Sequence, residues 1–318
     1  MRHASCVIAD EFEAATVAQV AREQLGIGRK ALRHTKYVDG AILLDGRAAR
    51  SDDLAHAGQT LSVAISDADI LVTPSSVRPE PGQVCVLYQD EDVVILNKPA
   101  GKVVHPRVGN TSGTIANHLA FYLQEQGINC GAHPVHRLDR GTSGALVFAL
   151  SGYAQAQLQR QLHKSFHREY LALCTGLIDE ESLPASKDGW HTIEAPIGRR
   201  TDRTSTTFTV LGDAPCDPTQ AKQAITHFQV LDAFTSVQAG ALSLVRLKLE
   251  TGRTHQIRVH LAHLGHPLLG DELYGEPSPY IHRAALHSHQ LSFLQPLKGA
   301  FVEVKAPLPA DMASLLPR

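Results

Sequence analysis

The chain has 318 residues, 43% of them hydrophobic and 19% charged, with a formal net charge of −2. This is the balance of a globular protein with room for one large domain or two, and it argues against a chain that is basic throughout. The five cysteines are scattered without a C-x-x-C pair, and no apolar run reaches membrane-spanning length. Asp10, Glu11 and Glu13 do not fit a signal peptide, so the expectation is a cytoplasmic protein with reduced thiols and no membrane association.

Residues 11–66 read as a small unit. Ala14 to Arg22 predicts a helix that Gly26 and Gly28 interrupt, and a second helix follows with Arg29, Lys30, Arg33, His34 and Lys36 on it. The runs Ala41 to Leu44 and Leu61 to Ile65 predict short strands, with Asp45-Gly46 as a turn signal. By charge alone the second helix is a solvated face. The arrangement resembles the alpha-L RNA-binding module, and that resemblance implies that Arg29, Lys30, Arg33 and Lys36 meet RNA phosphates. Such contacts give affinity and orientation, not sequence choice. Residues 67–82, with Pro74, Ser75, Ser76, Pro79 and Pro81, read as a linker to a second domain over 83–318.

The second domain opens with a hairpin, Val84 to Tyr88 and Val93 to Leu96 around a four-residue polar turn. Asn97-Lys98-Pro99-Ala100-Gly101 ends it, and Lys102 belongs to no phosphate loop, because the first glycine of that motif is absent. A helix is expected over 114–126, with Ile115, Leu119, Tyr122 and Leu123 on one face. The central stretch is His136-Arg137-Leu138-Asp139-Arg140-Gly141-Thr142-Ser143-Gly144, a carboxylate between arginines in a tight turn, followed by the buried strand Ala145 to Leu150. Asp139 here is either a structural residue of the turn or a catalytic carboxylate kept ionised by an arginine.

A helix capped by Ser151 is expected to carry Ala154, Leu158, Leu162 and Phe166. Arg168 to Leu173 predicts a strand in which Tyr170, on pattern alone, is an ordinary strand aromatic. Arg199, Arg200 and Arg203 form a basic cluster before a surface insertion at 212–220. Val245, Leu247 and Leu249 alternate with charged residues as in a half-buried strand, and Thr254 is placed to cap a helix ending near Leu264. His255, His260, His263 and His266 raise the question of a metal, but their spacing points them to different sides and no cysteine or suitably spaced carboxylate is near. No metal is expected.

His-Arg-Leu-Asp-x-x-Thr-Ser-Gly at 136–144 resembles the signature of the RluA-type pseudouridine synthases. The hairpin with its Lys-Pro-x-Gly end, Tyr170 in its strand, Thr251 to His260 followed by Gly265-His266-Pro267 and Gly270-Asp271, and the blocks at 283–287, 291–293 and 306–309 follow the family's order across about residues 82–310. The resemblance implies an α+β fold with a mixed, largely antiparallel sheet split around a central cleft. It implies isomerisation of uridine in structured RNA, without a cofactor. Asp139 becomes the nucleophile, Arg253 its cationic partner and Tyr170 the residue against the uracil, although Arg168 stands where the family more often has lysine. Arg137 fills the space the flipped base leaves, with His136 and Arg140 as further RNA contacts.

The expected substrate is large-subunit ribosomal RNA, with transfer RNA the alternative, and the expected state is a monomer. Two rivals differ in class. A non-catalytic ribosome-assembly factor need not keep Asp139, Tyr170 and Arg253 together, and a glycoside-type hydrolase wants a second acid flanking the bond, which no signature supplies.

Overall fold

The N-terminal residues close around a core of their own. The computed structural model describes residues 2–35, 38–65, 77–128, 130–162, 164–183, 188–203 and 206–317, without the side chains of Lys30, His34 and Ser182. The first strands are β1 (His3–Val7), β2 (Ala15–Thr16), β3 (Ile42–Leu44), β4 (Arg47–Ala48), β5 (Leu54–Ala55) and β6 (Thr60–Ala64). They form an antiparallel sheet in the order β1-β6-β3-β4 and a separate β2-β5 pair. Helix α1 (Val17–Glu23) starts where the Thr16 side chain accepts the Gln19 N–H, and it buries Val17, Val20 and Ala21. Helix α2 (Arg29–Thr35) presents Arg29 and Arg33 to solvent. β1 lies outside the expected elements, because Ala4 is its only buried residue and leaves no alternation to read.

This unit rests on the second domain. Tyr153 joins its apolar cluster, Gln157 donates to the Leu25 carbonyl at 2.6 Å, and Arg160 donates to the Arg22 carbonyl at 3.2 Å. Gly26 lies directly beneath the Arg160 guanidinium, where any Cβ would overlap it. The expected linker at 67–82 lies mostly outside the described residues, and its last part is not linker. Val77 is buried in the main core, Asn117 donates to the Arg78 carbonyl at 2.7 Å, and the Glu80 N–H donates to the Asn117 carbonyl at 3.1 Å. The second domain is therefore under way by Val77.

Its strands are β7 (Val86–Gln89), β8 (Val93–Lys98), β9 (His133–Pro134), β10 (Ser143–Ala149), β11 (His167–Thr175), β12 (His191–Glu194), β13 (Ile197–Arg199), β14 (Phe208–Val210), β15 (Ile225–Ser236), β16 (Gly240–Leu249), β17 (Leu286–Leu294) and β18 (Phe301–Lys305). All but β13 and β14 enter one ten-stranded sheet, with the main path β12-β15-β16-β11-β17-β10-β8-β7. Every pairing in it is antiparallel except β10 with β17, which run parallel over Ser143–His287 and Gly144–Ser288. Two antiparallel halves thus meet at one short parallel seam. Gly144 makes the seam possible: its φ is +109°, and a Cβ there would collide with the Ser288 backbone. Buried polar side chains tie the halves, with Ser143 to His287 at 2.9 Å and Ser288 to the Ala145 carbonyl at 2.9 Å.

Helix α3 (Ile115–Glu125) carries a full capping box between Thr114 and Asn117, and packs its apolar face on the sheet. Helix α4 (Gly152–Gln161) has the expected Ser151 cap but stops short of Phe166. The Gln161 carbonyl accepts N–H groups from Lys164, Ser165 and Phe166, turning the chain so that Phe166 stacks on Phe293 at 5.3 Å. Helix α5 (Gln256–His263) also departs from expectation at its start. Its N-cap is His255, in the left-handed conformation at φ 59°, and not Thr254. The 212–220 segment is largely exposed and folds back on the exit of β13, where Thr201 donates to the Pro215 carbonyl at 3.0 Å. Among the described residues, no helix is long and apolar enough to cross a membrane.

Candidate active site

Asp139 stands on the turn that leads into β10, at the seam between the two half-sheets. The turn is held from below. Buried Lys98 donates to the carbonyls of Pro99 and Lys102 at 2.9 Å and of Arg140 at 3.2 Å. Its three ammonium hydrogens match three carbonyls, which favours the charged form, although burial pulls its pKa down to about 7. The Gly101 N–H also donates to the Arg140 carbonyl, and Arg140 Nε returns a bond to the Gly101 carbonyl at 2.9 Å. From the other half, Arg283 reaches the Gly141 carbonyl at 3.2 Å.

A cavity of about 480 Å³ opens above Asp139. Tyr170 from β11, Gln159 and Leu162 from the end of α4, and residues 252–258 line it. Tyr170 is buried, and burial keeps its phenol protonated by raising its pKa. A larger cavity of about 790 Å³ lies between α3, the end of β8 and Asp311. Its half-buried Arg283 and Asp311 hold each other at 2.7 Å.

The arginine beside Asp139 is Arg258, with Nη1 3.9 Å from Oδ2. Arg253 lines the cavity wall, but its Nε donates to the Gln223 carbonyl at 2.9 Å. This corrects the expected pairing of Asp139 with Arg253. The reason is the helix start: Gln256 accepts the Arg253 N–H and the Thr251 hydroxyl and donates to the Ile225 carbonyl, fixing 251–256 as a turn. Arg258, one turn further on, then faces the carboxylate. Asp271 clasps it through two bonds of 2.6 Å, and the Tyr274 ring lies 5.0 Å from its guanidinium carbon.

His255 adds a second donor. The Phe208 N–H donates to the Tyr274 hydroxyl at 3.0 Å, so the hydroxyl hydrogen is free for His255 Nδ1 at 2.8 Å. With Tyr274 donating to Nδ1, the imidazole hydrogen sits on Nε2, which lies 3.9 Å from Asp139 Oδ2. Burial keeps the imidazole neutral, with Asp139 opposing the shift, and burial raises the Tyr274 pKa to about 12. Arg258 and His255 both address Oδ2. At 3.9 Å neither contact is a hydrogen bond, so neither carboxylate oxygen of Asp139 accepts a side-chain hydrogen bond among the described residues.

Of the other expected site residues, Arg137 and His136 line the cavity, Arg137 exposed and His136 buried. Arg140 does not line it; its side chain serves the Gly101 turn. Arg29 and Arg33 lie on the N-terminal unit, whose helices rest on α4. The side chain of Lys30 and all of Lys36 lie outside the described residues. The considered histidines have other partners: His260 bonds Thr226 and the Ala195 carbonyl, His263 bonds Asp213, and His266 bonds the Thr175 carbonyl. Arg258, Asp271 and Tyr274 went unread in the sequence. The helical spacing of 255 and 258 was the available signal, since residues three apart share a face.

Residues 92–263, more than half of the chain, match the family model described as RNA pseudouridylate synthase. The chain is 43% identical over 242 residues to the uncharacterized RNA pseudouridine synthase YhcT of Bacillus subtilis, covering 76% of this chain and 74% of that protein. It is 36% identical over 292 residues to ribosomal large subunit pseudouridine synthase D of Xanthomonas campestris, covering 87% and 80%. Among solved structures, human RNA pseudouridylate synthase domain containing 1 superposes with a TM-score of 0.57 at 31% identity, covering 72% of this chain and 86% of that one.

Proposed function

The chain belongs to the RluA family of RNA pseudouridine synthases, which are isomerases, and from that premise we propose that Asp139 is its nucleophile and large-subunit ribosomal RNA its substrate. The observation that carries the first part is the placing of the carboxylate. It borders the cavity beside the cationic Arg258 and beside His255, each 3.9 Å from Oδ2. No side chain hydrogen-bonds either oxygen among the described residues, leaving one free to attack. Oδ1 attacks C1′ of the uridine as the N1–C1′ bond breaks. The uracil turns, C5 bonds to C1′ and the carboxylate is released. The proton lost at C5 is matched by one gained at N1, so no redox partner is required. Arg258 and His255 stabilise the carboxylate each time it leaves.

The uridine has to leave its stack to reach Asp139, at a cost of about a few kcal/mol. A cavity of about 480 Å³ suits one flipped nucleotide, with Tyr170 against the base and exposed Arg137 at the mouth to fill the vacated stack. The N-terminal unit serves as an alpha-L-type grip on RNA. The end of its first helix sits on one part of α4, and the last turn of α4 lines the cleft. Arg29 and Arg33 therefore extend the cationic surface from the cleft. The ribosomal preference follows the names of the relatives.

Pseudouridine mapping of total RNA from cells with and without the gene tests this. Sites in large-subunit ribosomal RNA are expected to vanish and to return with the wild type but not with Asp139→Asn. Sites lost from transfer RNA instead would overturn the substrate, and full rescue by Asp139→Asn would overturn the nucleophile.

A further inference from the structure

Arg168 is a buried cation of the cleft without an ion-pair partner among the described residues. It lies on β11, two residues before Tyr170, is only 8% exposed, and lines the cavity above Asp139. Its Nε has no hydrogen-bond partner. Among the described residues no carboxylate lies within ion-pairing distance of it. Its neighbour Glu169 is engaged elsewhere, with Lys248 at 3.1 Å. Of the other arginines lining the cleft, Arg258 is held by Asp271 and Arg253 by the Gln223 carbonyl, while Arg137 is exposed to solvent at the mouth.

Nothing else nearby compensates the charge. His136 is neutral, its pKa driven down to about 3 by burial and by Arg168 itself. Gly252 borders the guanidinium, and even a Cβ there would come no closer than 3.5 Å to Nη1. An unpaired buried charge costs several kcal/mol, and an unsatisfied buried donor calls for a partner that arrives later. A cleft that takes a polyanion supplies one.

Resting on the reading that RNA enters this cleft, we propose that Arg168 binds a backbone phosphodiester next to the flipped uridine, through the two-pronged contact that guanidinium makes with phosphate. Tyr170 and Arg168 share one face of β11, as residues two apart on a strand do. The strand thereby offers one group to the base and one to the backbone of the same nucleotide region. Arg168 is a binding residue whose charge is neutralised only in the complex.

The test uses a synthetic hairpin spanning a uridine that the mapping identifies, with binding measured on the full chain carrying Asp139→Asn so that turnover does not intervene. Arg168→Gln is expected to weaken binding about tenfold or more. It should reduce the slope of log affinity against log salt by about one, with Arg168→Lys retaining the slope. A single methylphosphonate at the contacted position should weaken the arginine protein and leave Arg168→Gln unchanged. The thermal midpoint of Arg168→Gln should not fall, because an unpaired buried charge has been removed. A lowered midpoint with an unchanged salt slope, or equal losses for both proteins at every methylphosphonate, would overturn the proposal. Turnover by Asp139→Asn would sink the nucleophile and leave these binding results standing.

Discussion

The Tyr274 hydroxyl and His255 Nδ1, 2.8 Å apart, settle which imidazole nitrogen faces Asp139. With the Phe208 N–H on the Tyr274 oxygen, the hydroxyl hydrogen is available to the ring, and its donation to Nδ1 is the arrangement that leaves the hydrogen on Nε2. Tyr274→Phe removes that donor and frees the ring to present a lone pair to the carboxylate. Turnover is expected to fall about tenfold, the scale of one hydrogen bond, with KM little changed. Nitrogen NMR of the imidazole, assigned through His255→Gln, checks the cause: a protonated Nε2 in the wild type and mixed tautomers in the variant. The same tautomer in both proteins would remove Tyr274 from the account.

Arg258 is poised between two carboxylates, with Asp271 holding it and Asp139 within reach. Asp271→Asn leaves a buried guanidinium without its partner, and a loss of about 3 kcal/mol or more in unfolding free energy is expected. The guanidinium then becomes free to close on Asp139, so turnover should fall with stability. Denaturant unfolding and single-turnover kinetics read the two effects separately. Unchanged stability would show that the bidentate clasp contributes nothing in solution.

Stability should fall on the acid side of neutrality. Burial lowers the pKa of His136 to about 3 and of His287 to about 4, with His255 and His260 shifted in the same direction. In the unfolded chain these rings take up protons near pH 6.5, and in the folded chain they do not. The unfolded state therefore binds more protons below about pH 6.5. The contribution is complete above that value and is lost as pH falls toward about 4. His136 and His287 each add a slope of about 1.4 kcal/mol per pH unit in that window, and His255 and His260 act in the same direction. Urea titrations between pH 7 and 4 should show it, and His287→Gln should flatten the curve by one ring.

Gly144→Ala tests the seam. The substitution combines a strained φ with an overlap against the Ser288 backbone, and a cost of about 3 kcal/mol or more is expected. Thermal unfolding measures it. A midpoint within about 2 °C of the wild type would mean that the two half-sheets separate without penalty.

The sequence made the Asp139 turn, the strand that carries Tyr170, the β7–β8 hairpin, α3 and the start of α4 legible because each rests on local signals: a motif, an alternation or a cap. Arg258 escaped because its role depends on His255 taking a left-handed cap. That conformation is set by Gln256 reaching Ile225 and Tyr274 reaching Phe208, contacts between distant segments. The resemblance points to Arg253 as the partner, but in the fold its Nε is committed to the Gln223 carbonyl. The end of the linker was misplaced for a similar reason. Pro79 and Pro81 punctuate the chain, yet Val77 and Glu80 are already pinned to α3 and its approach.

The parallel seam also orders events during synthesis. Ser143 and His287 are separated by 144 positions, whereas the hairpins on either side pair neighbours in sequence and close at little entropic cost. A chain emerging from the ribosome displays Asp139 on a finished half-sheet well before Arg258, Asp271 and β17 exist as folded partners. The half-made protein thus carries the Asp139 carboxylate before Arg258 and His255 stand beside it, and the seam of β10 with β17 closes only once the last third of the chain has been made.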